Sequence, residues 1–193
     1  MDVTFKRTGE RRYGVVVSLP GRTPLWMDPA PGYDDHIPHD MIHYTVEAEL
    51  GLASGVFGRA ARGGGGGFVL GGDDDLDHRE RRRQRRRLLR REDRFRQDDQ
   101  RGQGDMALSE RLTGLCHVAW KRHHGPPAER PAWLRPQTTT PEDEAAVKRV
   151  LARLDRLAPL WNRLPVGGSL TFTWPATEPA RILAEGTPRT RET

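Results

Sequence analysis

The chain has 193 residues, with 32 basic and 27 acidic side chains, a net charge of +5 and 35% hydrophobic residues, enough for one domain with a core of its own. Its single cysteine, Cys116, excludes an intramolecular disulfide, and no stretch approaches the ~20 consecutive apolar residues of a membrane-spanning helix. The opening MDVTFKRTGERR lacks the apolar run of a secretory signal, so the expected setting is cytoplasmic, with no membrane association.

Residues 2–19 read as a β-hairpin. Val3, Phe5 and Arg7 alternate, TGE supplies a turn, and Tyr13, Val15, Val17 and Leu19 alternate again before Pro20 and Gly21. A loop rich in Pro, Gly and Asp follows. A helix then opens at Pro38, which suits a first helical position, and stops at Gly51; Ile42, Val46 and Leu50 give it an apolar stripe. A short helix is expected around Val56 to Ala61.

Composition changes abruptly at Gly63. Five glycines lead into GGDDDLDHRERRRQRRRLLRREDRFRQDDQRGQGD, which has very few apolar residues and blocks of charge. Such a segment buries too little surface to offset the entropy of ordering. Residues 63–104 are therefore expected to be a long disordered insertion with glycine spacers, at most transiently helical over residues 79–96 and isolated from the core. Residues 79–96 carry eleven arginines against Glu80, Glu92 and Asp93, a net of +8, which leaves −3 for the rest of the chain.

Order is expected to resume at Met106, where Leu108, Leu112, Leu115 and Ala119 step along one helical face. A Pro-rich link separates this helix from a stronger one. There Thr140 is a cap candidate, Pro141 takes the first position, acids fill the first turn, and Val147, Val150, Leu154, Leu157, Trp161 and Leu164 follow a three-four rhythm that Pro159 should kink or end. The two helices are expected to form an antiparallel pair. GGSLTFTWP reads as a last strand that joins the hairpin. The fold class is α+β: a small antiparallel sheet, made of the N-terminal hairpin and the C-terminal strand, packed on about three helices. Residues 1–62 and 105–175 would form one domain around the insertion, with 176–193 a flexible tail.

The chemistry-bearing stretch is DDHIPHDMIHYTVEAELG, residues 34–51. His39 and His43 stand one helical turn apart, the separation at which two imidazoles grip one divalent ion, and Glu47 continues the stripe. The five residues His39-Asp40-Met41-Ile42-His43 resemble the HExxH helix of zincin metallopeptidases, with aspartate where that family has glutamate. The resemblance implies Zn2+ or another divalent metal held by His39 and His43, Asp40 as the acid that handles water, and hydrolysis as the reaction. Glu47 is too far along the axis to share an ion with His39, and would serve beside His43 as a supporting carboxylate or an alternative ligand. A third ligand would come from Asp34, Asp35 or His36 in the preceding loop, or from His117 or Glu110 on the helix that starts near Met106.

Two other readings stand beside this one. His39, Asp40 and His43 would equally form the capped, polar flank of an ordinary helix. The Arg79 to Arg96 run would contact nucleic acid or acidic proteins, making the protein a non-catalytic module. Over residues 73–101, however, twelve arginines meet nine acids, a net of only +3. Phe95 is the one aromatic there, too few for a base-stacking platform. Cys116 is expected to be a small buried hydrophobe.

Overall fold

The computed structural model describes residues 1–32, 36–71, 77–124 and 139–184. Their elements run β1 (Asp2–Gly9), β2 (Arg12–Ser18), β3 (Leu25–Met27), α1 (His39–Leu50), α2 (Val56–Ala61), β4 (Val69–Leu70), α3 (His78–Gln100), α4 (Met106–His124), α5 (Pro141–Asn162), β5 (Ser169–Thr173) and β6 (Arg181–Leu183). The fold is α+β, with one antiparallel sheet in the order β4-β3-β2-β1-β5-β6.

The alternation read from the hairpin fixes its register. Val3 lies opposite Val17 and Phe172, and Phe5 opposite Val15 and Leu170, so one face collects side chains that are wholly out of water. β5 joins β1 as the C-terminal strand was expected to. The sheet extends further at both edges: β3 and β4 add to β2, and β6 pairs with β5 inside the stretch read as a loose tail. Residues 185–193 of that tail lie outside the described residues.

Helix α1 lies on the buried face of the sheet. Tyr44 packs edge-on to Phe5 and tilted on Phe172, with ring centres 5.9 and 4.9 Å away. The helix also touches α2, α4 and α5, so it is enclosed well beyond its apolar stripe; Asp40, His43 and Glu47 are buried with Met41, Ile42 and Val46. Gly51 ends it in the left-handed conformation, φ 67°, with its N–H on the Glu47 carbonyl. Pro38 sits one position before the helix, in the cap, and His39 is the first helical residue.

The expectation of an antiparallel α4/α5 pair is corrected. Arg111 pairs with Asp143 near the start of both helices, and His124 pairs with Asp155 towards their ends. A nearly constant offset between partners means the two run parallel. Sixteen residues at ~3.3 Å each span about 50 Å, more than the ~28 Å length of a 19-residue helix, so the connecting segment can return the chain to the other end. Its residues 125–138 lie outside the described residues. Helix α5 begins as read, with a capping box between Thr140 and Asp143 and Pro141 in the first turn. It passes Pro159 to end at Asn162.

The Arg-rich stretch is also not isolated. Residues 78–100 form a 23-residue helix docked through Phe95, 6% exposed, against α2 and the glycine segment. Arg59, buried on α2, bonds Glu92 at 2.8 Å and Asp99, and the Arg59 and Arg62 guanidinium groups sit 5.4 and 5.0 Å from the centre of the Phe95 ring. Glu92 also accepts the Gly65 and Gly66 N–H groups. The glycines are close-packed here: a Cβ on Gly64 would lie 2.7 Å from Phe95, and one on Gly66, at φ 55°, 2.1 Å from the Val56 carbonyl. Composition misleads because one buried cation, two carboxylates and one aromatic are enough to dock a helix whose other side stays in water. Residues 72–76, which hold the Asp73, Asp74 and Asp75 block, lie outside the described residues.

Candidate functional site

Helices α1 and α4 are antiparallel, and their polar residues meet between them. His39 faces His117, His43 faces Thr113 and Glu110, and Glu47 faces Ser109. On α4, Ser109, Thr113 and His117 recur every four residues, so they share one stripe, and Glu110 borders it. All three of that stripe are buried, whereas Leu108, chosen from the apolar rhythm, is 37% exposed. The inner face of α4 is thus rotated by about one residue from the leucine pattern, towards side chains with donors and acceptors.

His39 holds the centre. Its ring lies 4.9 Å from that of His43, at 88° between planes, and 5.6 Å from that of His117, at 70°. The loop before α1 passes close over it: Gly32, at φ 72°, carries no Cβ, and one there would lie 2.8 Å from the His39 Cβ. Two imidazoles bound to one tetrahedral ion at about 2.0–2.1 Å, with about 1.1 Å more from nitrogen to ring centre, have centres about 5 Å apart. Both ring separations match that spacing. Among the described residues, no three His, Cys, Asp or Glu side chains are arranged to hold an ion as they stand.

A chain of hydroxyls and carboxylates fixes His43. Ser109 Oγ donates to Glu47 Oε1 at 2.8 Å, so towards the His43 ring it can only accept; its Oγ is 3.4 Å from His43 Nδ1, and Thr113 Oγ1 is 3.2 Å away. This favours the tautomer with hydrogen on Nδ1 and the lone pair on Nε2. That Nε2 faces Glu110, 3.8 Å away, whose side chain is 60% exposed, so the cluster opens to water on that side. Burial, and then the neighbouring His39, push the His43 pKa down to about 3. The imidazole is neutral at physiological pH, as a metal ligand must be.

Glu47 is not placed as a ligand. Its two oxygens accept the Val56, Phe57 and Gly58 N–H groups at 2.6, 2.8 and 3.1 Å, besides the Ser109 hydroxyl. It caps α2 and orients His43 through Ser109. Burial raises its pKa to about 7, against the downward pull of these donors. A side chain on Gly55 would collide with this carboxylate, at 2.3 Å.

Asp40 points instead to the sheet, where the Tyr13 hydroxyl donates to its Oδ2 at 2.5 Å. The same hydroxyl lies 2.6 Å from the Pro31 carbonyl oxygen. The two acceptors share the one phenolic proton, and donation to Asp40 favours its ionised form. Burial raises the Asp40 pKa to about 6, the Tyr13 bond opposes the rise, and the Glu110 charge adds to it. Desolvation and Asp40 raise the phenol as well.

Of the remaining candidates, His36 is exposed in the loop, and Asp34 and Asp35 lie outside the described residues. Cys116 is buried, its thiol pushed up to about 12, and takes no part. Tyr13, Ser109 and Thr113 were not singled out from sequence. A tyrosine in a buried strand position needs a partner for its hydroxyl, and Ser109-Thr113-His117 has helical spacing; both signals were present.

No family model matches the chain, and neither a curated protein nor a solved structure matches it.

Proposed function

We propose that the protein is a metal-dependent hydrolase whose divalent ion, zinc by the nitrogen-rich donor set, is held by His39, His43 and His117 between α1 and α4. The observation that carries this reading is the packing of His39 against both other rings at the spacing of shared coordination. The neutral His43, with its Nδ1 engaged by hydroxyls and its Nε2 turned to the open side, supports it. His39, half-buried, is the ring with room to turn and complete the set.

Such an ion supplies Lewis acidity and lowers the pKa of bound water. The chain's own contributions are more specific. Ser109 and Thr113 hold His43 in one tautomer, and Glu110 stands at the open side. Asp40, bonded to Tyr13, ties the start of α1 to the sheet and so positions His39. A reducing, cytoplasmic setting accords with Cys116 as a lone buried thiol. No helix among the described residues is long and apolar enough to cross a membrane.

The test is elemental analysis of the purified protein, with a screen of ester, amide and phosphoester substrates before and after chelation. The reading expects about one metal per chain, lost in His43→Ala and His117→Ala. It also expects hydrolysis that chelation abolishes. Metal at background in the folded wild type overturns it.

A further inference from the structure

Helix α3 sets a row of arginines along one edge of a cleft. Glu80, Gln84, Arg87, Leu88, Arg91 and Arg94 fall on one stripe of the helix. With the β2–β3 loop, Gly63 and Gly64 they line a cleft of about 520 Å³. Arg22, Arg87, Arg90, Arg91 and Arg94 all border this cleft, and none of them forms an ion pair among the described residues. Among the described residues Glu80 is the one carboxylate in the lining, and it already meets Arg83 and Gln84.

Two of these cations come from different elements to the same place. A Cβ on Gly63, at φ 80°, would lie 2.4 Å from Arg22 Nη1 and 3.2 Å from Arg91 Nη1, so both guanidinium groups crowd over one glycine. Arg91 is held there by the Arg62 carbonyl. Like charges brought together, with no carboxylate among the described residues paired to either, repel each other until an anion sits between them. From Arg87 to Arg94 the row runs about 10 Å along the helix, long enough for more than one phosphate. Leu19, Leu25, Leu70 and Leu88 give the same cleft an apolar floor.

We infer that this cleft binds a small molecule carrying a diphosphate and an uncharged, apolar-faced remainder, a nucleoside diphosphate being the simplest example. The phosphates lie against Arg22 and Arg91 and along the α3 row, and the base or its equivalent rests on the leucines. The volume falls within the ~300–1,000 Å³ of small-molecule sites. A duplex nucleic acid would engage the side of α3 away from the cleft, which carries Arg85 and Arg86. The cleft shares no residue with the histidine cluster, and the inference stands whether or not that cluster holds metal.

The experiment is titration calorimetry of the full chain, without divalent metal, with ADP, pyrophosphate, adenosine and a short DNA duplex. ADP should bind most tightly, pyrophosphate less so and adenosine not measurably. The pair Arg22→Glu with Arg91→Glu should weaken ADP about tenfold or more, while Arg85→Glu with Arg86→Glu leaves it unchanged; far-UV circular dichroism establishes that each pair is folded. If one pair does not fold, competition by pyrophosphate against ADP on the wild type decides instead. The inference is overturned if neither ADP nor pyrophosphate binds, or if both charge-reversed pairs lose ADP equally.

Discussion

Glu47→Gln replaces one carboxylate oxygen by an amide nitrogen while keeping the shape of the side chain. Oε2 faces two fixed backbone donors, Phe57 and Gly58, whereas Oε1 faces one, Val56, and the Ser109 hydroxyl, which can turn. The new NH2 therefore settles on the Oε1 side. Ser109 must then accept from it and give its own proton to His43 Nδ1, which moves the imidazole hydrogen to Nε2 and removes the lone pair from the side facing Glu110. Loss of an outer partner of this kind lowers metal affinity about 10- to 100-fold, or about 1.4–2.8 kcal/mol.

Stability responds separately. The orphaned Val56 N–H costs about 1–3 kcal/mol at any pH. The wild-type carboxyl is raised from 4.5 to about 7 by burial, so its stabilising share is greatest below pH 4.5 and is lost as pH rises towards 7, a change of about 3 kcal/mol. Glutamine does not titrate, so the variant's deficit shrinks across that window. Zinc titration at pH 8, with urea unfolding at pH 5 and pH 8, reads both effects. Unchanged zinc affinity in a folded variant would refute the relay through Ser109, and an equal stability deficit at the two pH values would refute the burial of an ionisable carboxyl.

Acid should unfold the protein partly through His43. Its pKa is lowered from 6.5 to about 3, so the folded state resists protonation and stability falls as pH drops below 6.5, by about 2 kcal/mol at pH 5; His43→Gln should lose this slope in urea midpoints measured from pH 7 to pH 5. Tyr13→Phe removes the donor that holds the Asp40 carboxyl down, so its titration, followed by carboxyl NMR, should move above about 6, and an unmoved value would contradict the contact. Phe95→Ala should detach α3 at a cost of up to about 3–5 kcal/mol and open the Arg-rich helix to trypsin, which would cut the wild type there slowly; immediate cleavage of the wild type within residues 79–96 would contradict the docking.

The hairpin, the C-terminal strand, the end of α1 and the start of α5 were legible because each has a local cause: alternation, a left-handed glycine, a capping threonine with its acid. The docked helix α3 was not, because composition counts Arg59, Glu92 and Asp99 as solvated charges, while in three dimensions they neutralise one another around Phe95. The parallel sense of α4 and α5 depends on where a long link returns, which no local signal states. The candidate site was half legible. The spacing of His39 and His43 drew attention to α1, and His117 was among the partners considered, but the leucine rhythm of α4 pointed away from Ser109 and Thr113. Buried polar residues that serve one another leave no hydrophobic period, and only the antiparallel meeting of two helices reveals them.

The central claim is that three imidazoles from two helices share one cation. Diffraction data collected on either side of the zinc absorption edge, from crystals grown with Zn2+, measure this directly. A single strong anomalous peak is expected about 2.0–2.1 Å from a ring nitrogen of each of His39, His43 and His117. Crystals soaked in zinc that give no peak between α1 and α4, with the three rings left as they are, would contradict it.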